Sequence, residues 1–294
     1  TPVRPLKVIK RGTTGGVLQS LLVDGPLDLD YYISQYDGEV AYTDRWNGQL
    51  LSALRAMGLS RNTLVVFTAD HGESLGEHEY YFEHGLFTYD ASARIPLIMS
   101  LPGLVDEGRR DDQVVESVDI LPTILDLIGA EVPSSCQGGS CAGRVARSLA
   151  GRLSWDGEML RPAGRGKGYA YIEAGYGHHS GPGYTFAMTD GRYKLIIRDA
   201  AWVLRPRNLL WYMYSVNTLF EGGAGAPELY DLVADPGERV NVYGRRPAEK
   251  VLLSGDLRDF MKKTRDAGTM QRQPGEKALD EQTVRALRAL GYVH

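Results

Sequence analysis

The sequence predicts an α/β protein that ends in a small antiparallel sheet. Three stretches carry that expectation. From Asp37 the residues Val40, Thr43, Trp46 or Asn47, Leu50, Leu54 and Met57 fall on one helical face, and Gly58 stops the helix. Thr63-Leu-Val-Val-Phe-Thr-Ala-Asp70-His71-Gly72 follows as an uncharged, β-prone run into a polar turn, so helix and strand form one unit of an α/β layer. Further on, Gly168 to Ala174, Tyr184 to Thr189 and Arg192 to Arg198 read as successive short strands, with Asp190-Gly191 as a hairpin turn.

Taken in order, residues 1 to 30 are broken by Pro2, Pro5, Gly12, Gly15, Gly16 and Pro26 and favour no long element. The strand before Asp70 carries no charge and is expected to be buried. Arg94 to Pro102 is a second apolar strand, whose Pro96 marks its start or an edge position. Asp119 to Gly129 is a helix with Pro122 in its first turn and Gly129 at its end. Residues 134 to 168 are rich in Gly, Ser and Arg, which places a boundary or long loop there and divides the chain into regions 1–150 and 151–294. Two helices close the chain, from Pro247 to Arg265 and from Asp280 to Leu290.

Composition narrows the function classes. A 294-residue chain with 43% hydrophobic and 24% charged residues is globular in texture. A net charge of −4 gives no electrostatic case for nucleic acid or an anionic membrane. No apolar run approaches membrane-spanning length, and no signal-peptide pattern follows Thr1. The chain starts with Thr rather than Met, so a periplasmic or secreted location stays open. Cys136 and Cys141 lack a nearby His and do not read as a zinc site; a local disulfide and two free thiols are both compatible with the sequence.

Chemistry concentrates after the first strand. In open α/β sheets ligands sit outside the carboxyl ends of strands, where Asp70 and His71 lie. A carboxylate beside a neutral imidazole suits a divalent metal; the alternative is an Asp that caps the next helix and a His in a surface turn. Glu77, His78, Glu83 and His84 follow closely, interleaved with Tyr80, Tyr81 and Phe82, which form either an apolar wall for a substrate or part of the core.

These segments together resemble the C-terminal half of the type I, formylglycine-dependent sulfatases of the alkaline phosphatase-like superfamily. The likeness rests on Tyr36-Asp-Gly-Glu-Val-Ala-Tyr-Thr-Asp44, Phe67-Thr-Ala-Asp-His-Gly-Glu73 with Leu75-Gly-Glu-His78, and Phe82-Glu-His-Gly85 leading to Tyr89-Asp90 and Arg94-Ile-Pro-Leu-Ile98. It continues through Val118 to Leu125, Gln137-Gly138, Glu228-Leu-Tyr-Asp-Leu232, Asp235-Pro-Gly-Glu238, Asn241 and Leu287 to Tyr292.

The resemblance implies an alkaline phosphatase-like mixed, mostly parallel sheet with flanking helices plus the small C-terminal antiparallel sheet. It implies a metal-dependent hydrolase of sulfate monoesters, with a small-molecule or glycan sulfate ester as substrate. Asp70 and His71 would be metal ligands. His84 would contact the sulfate or protonate the leaving oxygen, the alternative being a loop histidine satisfied by Glu83 or backbone. His178 and His179 would reach over the pocket to substrate, and Arg94 would be structural. The metal is usually calcium; imidazole at His71, where many sulfatases carry Asn, keeps manganese and zinc open.

The formylglycine signature, a Cys or Ser with Pro two and Arg four residues on, is absent: Cys141 has Gly143 and Val145 there, and Cys136 has Gly138 in place of Pro. Formylglycine and the rest of the metal site are therefore expected upstream, on an N-terminal half of the same fold, and this segment alone is expected to be inactive. Two other readings remain open at this point, a phosphonate monoester or phosphodiester hydrolase of the same superfamily and a truncated, non-catalytic relative.

Overall fold

The computed structural model describes residues 6–9, 15–19, 22, 28–146, 168–174, 185–198 and 227–270. The chain divides into one unit from Thr1 to Leu257 and a second from Arg258 to His294. The first unit holds a short parallel pair, β1 (Val8–Ile9) with β2 (Val17–Leu18), and a long helix, α1 (Leu29–Ala56). Next come β3 (Val65–Thr68), the hairpin β4 (Ser74–Leu75) and β5 (Tyr81–Glu83), the single-turn α2 (Asp90–Ala93) and β6 (Leu97–Ser100). Helices α3 (Ile120–Ile128) and α4 (Ala142–Val145) precede β7 (Ala170–Ala174), β8 (Thr185–Thr189), β9 (Tyr193–Arg198) and β10 (Glu228–Asp231). Helix α5 (Pro247–Met270) begins in the first unit, where Leu253, Ser254 and Leu257 are buried.

The C-terminal sheet matches its sequence reading. Strands β7, β8, β9 and β10 pair antiparallel in the order β10-β9-β8-β7. The Asp190 carboxylate accepts the backbone N–H groups of Arg192 and Tyr193 at 2.8 and 2.6 Å, which closes the β8–β9 hairpin. Strand β10 had been legible only as a sequence signature; here its Leu229 and Tyr230 are buried edge residues paired to β9.

Two features differ from expectation. Helix α1 starts at Leu29 rather than Asp37, because the Asp28 carboxylate accepts the N–H of Asp30 at 3.1 Å and caps an earlier turn. Strand β3 is not buried. It pairs antiparallel with β6, and the registered residues Phe67 and Ile98 are 42% and 60% exposed. One face of this pair packs Leu64 and Met99 toward Leu127 and Ala142 of α3 and α4, while nothing among the described residues covers the other. Helix α1 shows the same imbalance, with Tyr32 buried while Val40, Trp46, Leu50 and Met57 face outward. The parallel part of the expected sheet is represented among the described residues by β1–β2 alone. The boundary read at residue 150, the closing helix from Asp280, His178 and His179 all lie outside the described residues.

A buried cation ties the C-terminal sheet to α2. Lys194 of β9 is fully buried, with its Nζ 2.7 Å from Asp90 Oδ1 and 2.9 Å from Glu238 Oε1. The second contact is an ion pair off the line of a hydrogen bond. The other Glu238 oxygen accepts the Asp90 N–H at 2.6 Å. Burial pushes the Glu238 carboxyl above its usual range, and Lys194 works against that push. Around this triad Tyr80, Leu86, Phe87 and Tyr89 pack with Ala187, Ile196 and Tyr230 in one apolar cluster.

Replacing Lys194 with Met would leave Asp90 and Glu238 facing each other without a counter-charge. The expected loss is about 3–5 kcal/mol in urea unfolding. Adding Glu238→Gln to that variant is expected to restore part of it, as a double-mutant cycle would measure.

Candidate functional site

The polar turn after β3 is held from below by α2. The Gly72 N–H donates to the Ser92 carbonyl at 2.8 Å, and Ser74 Oγ meets Ser92 Oγ at 3.3 Å in the interior. At Gly72 a Cβ would collide with the Ala91 carbonyl, so only glycine lets the turn lie this close to the helix. Because Asp90 begins α2, the contacts of Lys194 and Glu238 are passed through one helical turn to the backbone beneath Asp70 and His71.

The geometry of His71 fixes its tautomer. Its Nδ1 lies 2.8 Å from the Gly72 carbonyl, an oxygen that can only accept, so Nδ1 carries the proton. In the neutral ring Nε2 then presents a lone pair. It faces Asp70 Oδ2 at 3.7 Å, beyond hydrogen-bond range. The other Asp70 oxygen accepts the His71 N–H at 3.0 Å, which sets the carboxylate's orientation. Two lone-pair donors facing one another without a bridging proton suit one shared cation, and a backbone carbonyl on the second ring nitrogen is the usual support of a ligating imidazole. Among the described residues no group of three or more His, Cys, Asp or Glu is placed to hold a metal ion. Asp70 and His71 therefore fit one side of a cation site.

His84 joins this pair from the hairpin. Its ring stacks on that of His71, with centroids 3.8 Å apart and planes 23° from parallel. Its Nδ1 is 3.2 Å from Glu73 Oε2. The sequence pointed to Glu83 as a partner; the hairpin register instead sets Ser74 opposite Glu83, which leaves Glu73 beside His84. Burial, and then the nearby Glu73 carboxylate, push Glu83 above its ordinary range. The backbone of His84 is pinned by the Tyr80 hydroxyl, which donates to its carbonyl at 2.7 Å. Tyr80 is fully buried, and Tyr81 and Phe82 pack against the cluster around Tyr32, so this aromatic run serves the core. Arg94 is exposed at the end of α2, and both cysteines are free thiols.

His78 belongs to a different environment. Its ring lies flat on Tyr89 at 3.5 Å, and burial lowers its pKa from the ordinary 6.5 against the opposing pull of Glu228. Tyr89 and Tyr230 both donate to Glu228 Oε2, at 2.8 and 2.9 Å, and Arg198 meets Glu228 Oε1 at 2.6 Å.

The model of the Sulfatase family matches residues 11–130, and that of the N-sulphoglucosamine sulphohydrolase C-terminal region matches residues 76–198. Arylsulfatase K of Canis lupus familiaris is 29% identical over 226 residues, 77% of this chain and 36% of the relative. Over these residues the chain is similar to sulfatases. N-acetylglucosamine-6-O-sulfatase of Bacteroides thetaiotaomicron is 29% identical over 233 residues, 79% of this chain and 35% of the relative.

Among solved structures, one in complex with its substrate D-glucosamine-2-N,6-O-disulfate aligns with TM-score 0.54 and 26% identity, covering 80% of this chain and 41% of that one. The phosphonate monoester hydrolase of Agrobacterium radiobacter aligns with TM-score 0.59 and 22% identity over 85% and 44%, a likeness of fold. The chain thus spans little more than a third of the curated relatives it matches.

Two outcomes test the local geometry. Gly72→Ala is expected to cost about 1–3 kcal/mol in urea unfolding, from the forced separation of turn and helix. For His78, whose folded pKa is depressed, the unfolded chain takes up a proton first on acidification, so stability is complete above 6.5 and is lost as pH falls through the folded value. His78→Asn, which tolerates the left-handed φ of 54° at this position, should flatten the fall in urea midpoint between about pH 7 and pH 5.

Proposed function

We propose that this chain carries one side of the active site of a metal-dependent sulfatase, which hydrolyses sulfate monoesters of sugars. The observation that carries the reading is the facing of His71 Nε2 and Asp70 Oδ2, with the His71 Nδ1 proton already committed to a backbone carbonyl. On this reading Asp70 and His71 hold a divalent cation, of which calcium is the first expectation and manganese or zinc the alternatives. When bound, such an ion draws charge from sulfate oxygens and acts as a Lewis acid.

His84, stacked on His71, stands where it can reach the ester. Its Nε2 is free of the Glu73 contact; with the ring protonated on both nitrogens, Nε2 would donate to a sulfate oxygen or to the leaving alcohol. Sugar sulfate as the substrate class draws on the relatives, an N-acetylglucosamine-6-O-sulfatase and a structure holding a disulfated glucosamine.

The nucleophile, expected to be formylglycine, and the remaining metal ligands are assigned to an N-terminal portion of the fold, which the longer relatives have room for. The outward apolar faces of β3–β6 and α1 support this assignment. Phe67, Ile98, Val40 and Trp46 form surface that a further layer of the same fold would bury.

Titration calorimetry of the chain with calcium and with manganese tests the half-site directly. Binding is expected to weaken by at least about tenfold in Asp70→Ala and in His71→Ala, as loss of a ligand requires. Equal affinity in all three proteins would remove the metal assignment. Assays of the full-length protein on aryl sulfate, sulfated glucosamine and phosphonate monoester then address the reaction, and a preference for the phosphonate would overturn the sulfatase reading.

A further inference from the structure

Glu73 sits beside the candidate acid without an evident structural duty. Three other carboxylates clasp backbone: Glu238 accepts the Asp90 N–H, Glu116 that of Tyr171, and Asp119 that of Gly139. Among the described residues the Glu73 side chain has one contact of hydrogen-bond length, to His84, through Oε2 at 3.2 Å. Its second oxygen, Oε1, is buried and has no hydrogen-bond partner among the described residues. A desolvated acceptor left unpaired costs roughly 1–3 kcal/mol, a cost that core packing alone would not retain.

Resting on the sulfatase reading above, we propose that Glu73 is the positioning residue of His84: it fixes the ring plane and holds the proton on Nδ1, so that Nε2 alone is presented to substrate. An ionised carboxylate only accepts, so the nitrogen facing it must be the donor in either charge state of the ring. The β4–β5 register sets this geometry, because pairing Ser74 with Glu83 leaves Glu73 and His84 as the flanking residues at the open end of the hairpin. The stacked His71 ring restrains the plane from the other side, at 3.8 Å. Both ends of the contact are anchored, His84 by the Tyr80 hydroxyl on its carbonyl and Glu73 by Gly72 and Ser74, whose contacts tie it to Ser92.

The test begins with the chain labelled with nitrogen-15 at histidine, observed by long-range proton–nitrogen correlation at about pH 8.5, where neutral rings dominate. The signal lost in His84→Asn identifies His84. The expected result is the Nδ1–H tautomer in the unmodified chain, kept in Glu73→Gln, whose amide oxygen still accepts, and replaced by the Nε2–H tautomer in Glu73→Leu. An Nε2–H tautomer in the unmodified chain overturns the proposal without reference to any variant, so a Leu variant that fails to fold does not protect it.

In the full-length protein, Glu73→Leu should lower kcat on a sulfated glucosamine by about tenfold or more with little change in KM, and Glu73→Gln should recover most of it. A rise in KM at unchanged kcat would count against positioning. If the full-length protein does not cleave sulfate esters, the sulfatase reading fails and the tautomer result alone decides the role of Glu73.

Discussion

A single buried ammonium organises the part of this molecule that matters. Lys194 has no solvent access, and a charge so placed is tolerable only with counter-charges at contact distance, which Asp90 and Glu238 supply. The three residues come from β9, from the first turn of α2 and from the loop after β10, far apart in sequence, so the ion cluster forms only when these pieces meet. Its consequence is positional. With Asp90 held at its side chain and its N–H, α2 cannot slide, and through Ser92 it fixes the backbone of Gly72 and Ser74. The charge network in the C-terminal sheet thus reaches the polar turn after β3 by a short covalent and hydrogen-bonded path.

That path explains why an exposed turn can be well defined. Asp70 is 70% exposed on its side chain and would be a mobile surface carboxylate if its setting depended on its own packing. Instead its Oδ1 is tied to the following N–H, the neighbouring imidazole is locked by the Gly72 carbonyl, and Gly72 is pressed on α2. The second histidine is stabilised by a separate route, from Tyr80 in the core and from Glu73 across the hairpin. Two independent anchorages deliver the two stacked rings. Precision here comes from rigid neighbours rather than from burial of these side chains.

How much of this was legible in the sequence depended on the range of the interaction concerned. The C-terminal strands, the Asp190-Gly191 turn and the Ile120–Ile128 helix follow from local pattern, and the structure places them where the pattern does. Helix α1 began eight residues early for a local reason, the Asp28 cap, that Gly and Pro nearby obscured. Strand β3 was misread as buried because an uncharged run reports β-propensity, not which faces find neighbours, and Phe67 and Ile98 pair across a face that nothing among the described residues covers. Asp70, His71 and His84 were visible as residue types. Their arrangement was not, since the Glu73–His84 contact is set by a hairpin whose first strand has only two residues and whose register shifts at Ser74/Leu75. Lys194 was invisible as a keystone, because nothing local distinguishes a buried lysine in Tyr-Lys-Leu-Ile from one at a strand edge.

The uncovered surface and the half-built site share a cause on the proposed reading. Phe67 and Asp70 lie three residues apart on the same strand and turn, about 10 Å along an extended chain. A layer that buries the Phe67–Ile98 face therefore also approaches Asp70. Its arrival would remove water from a carboxylate that is now largely solvated, and the attraction between that carboxylate and a cation rises steeply as the local dielectric falls. Exposed as it is here, an Asp70–cation contact would have much of its strength screened by solvent. On that reading, covering the apolar face would supply further donors together with the low-dielectric setting in which Asp70, His71 and His84 would act strongly on a sulfate ester. Stability of the sheet and strength of the site would then be gained in the same step.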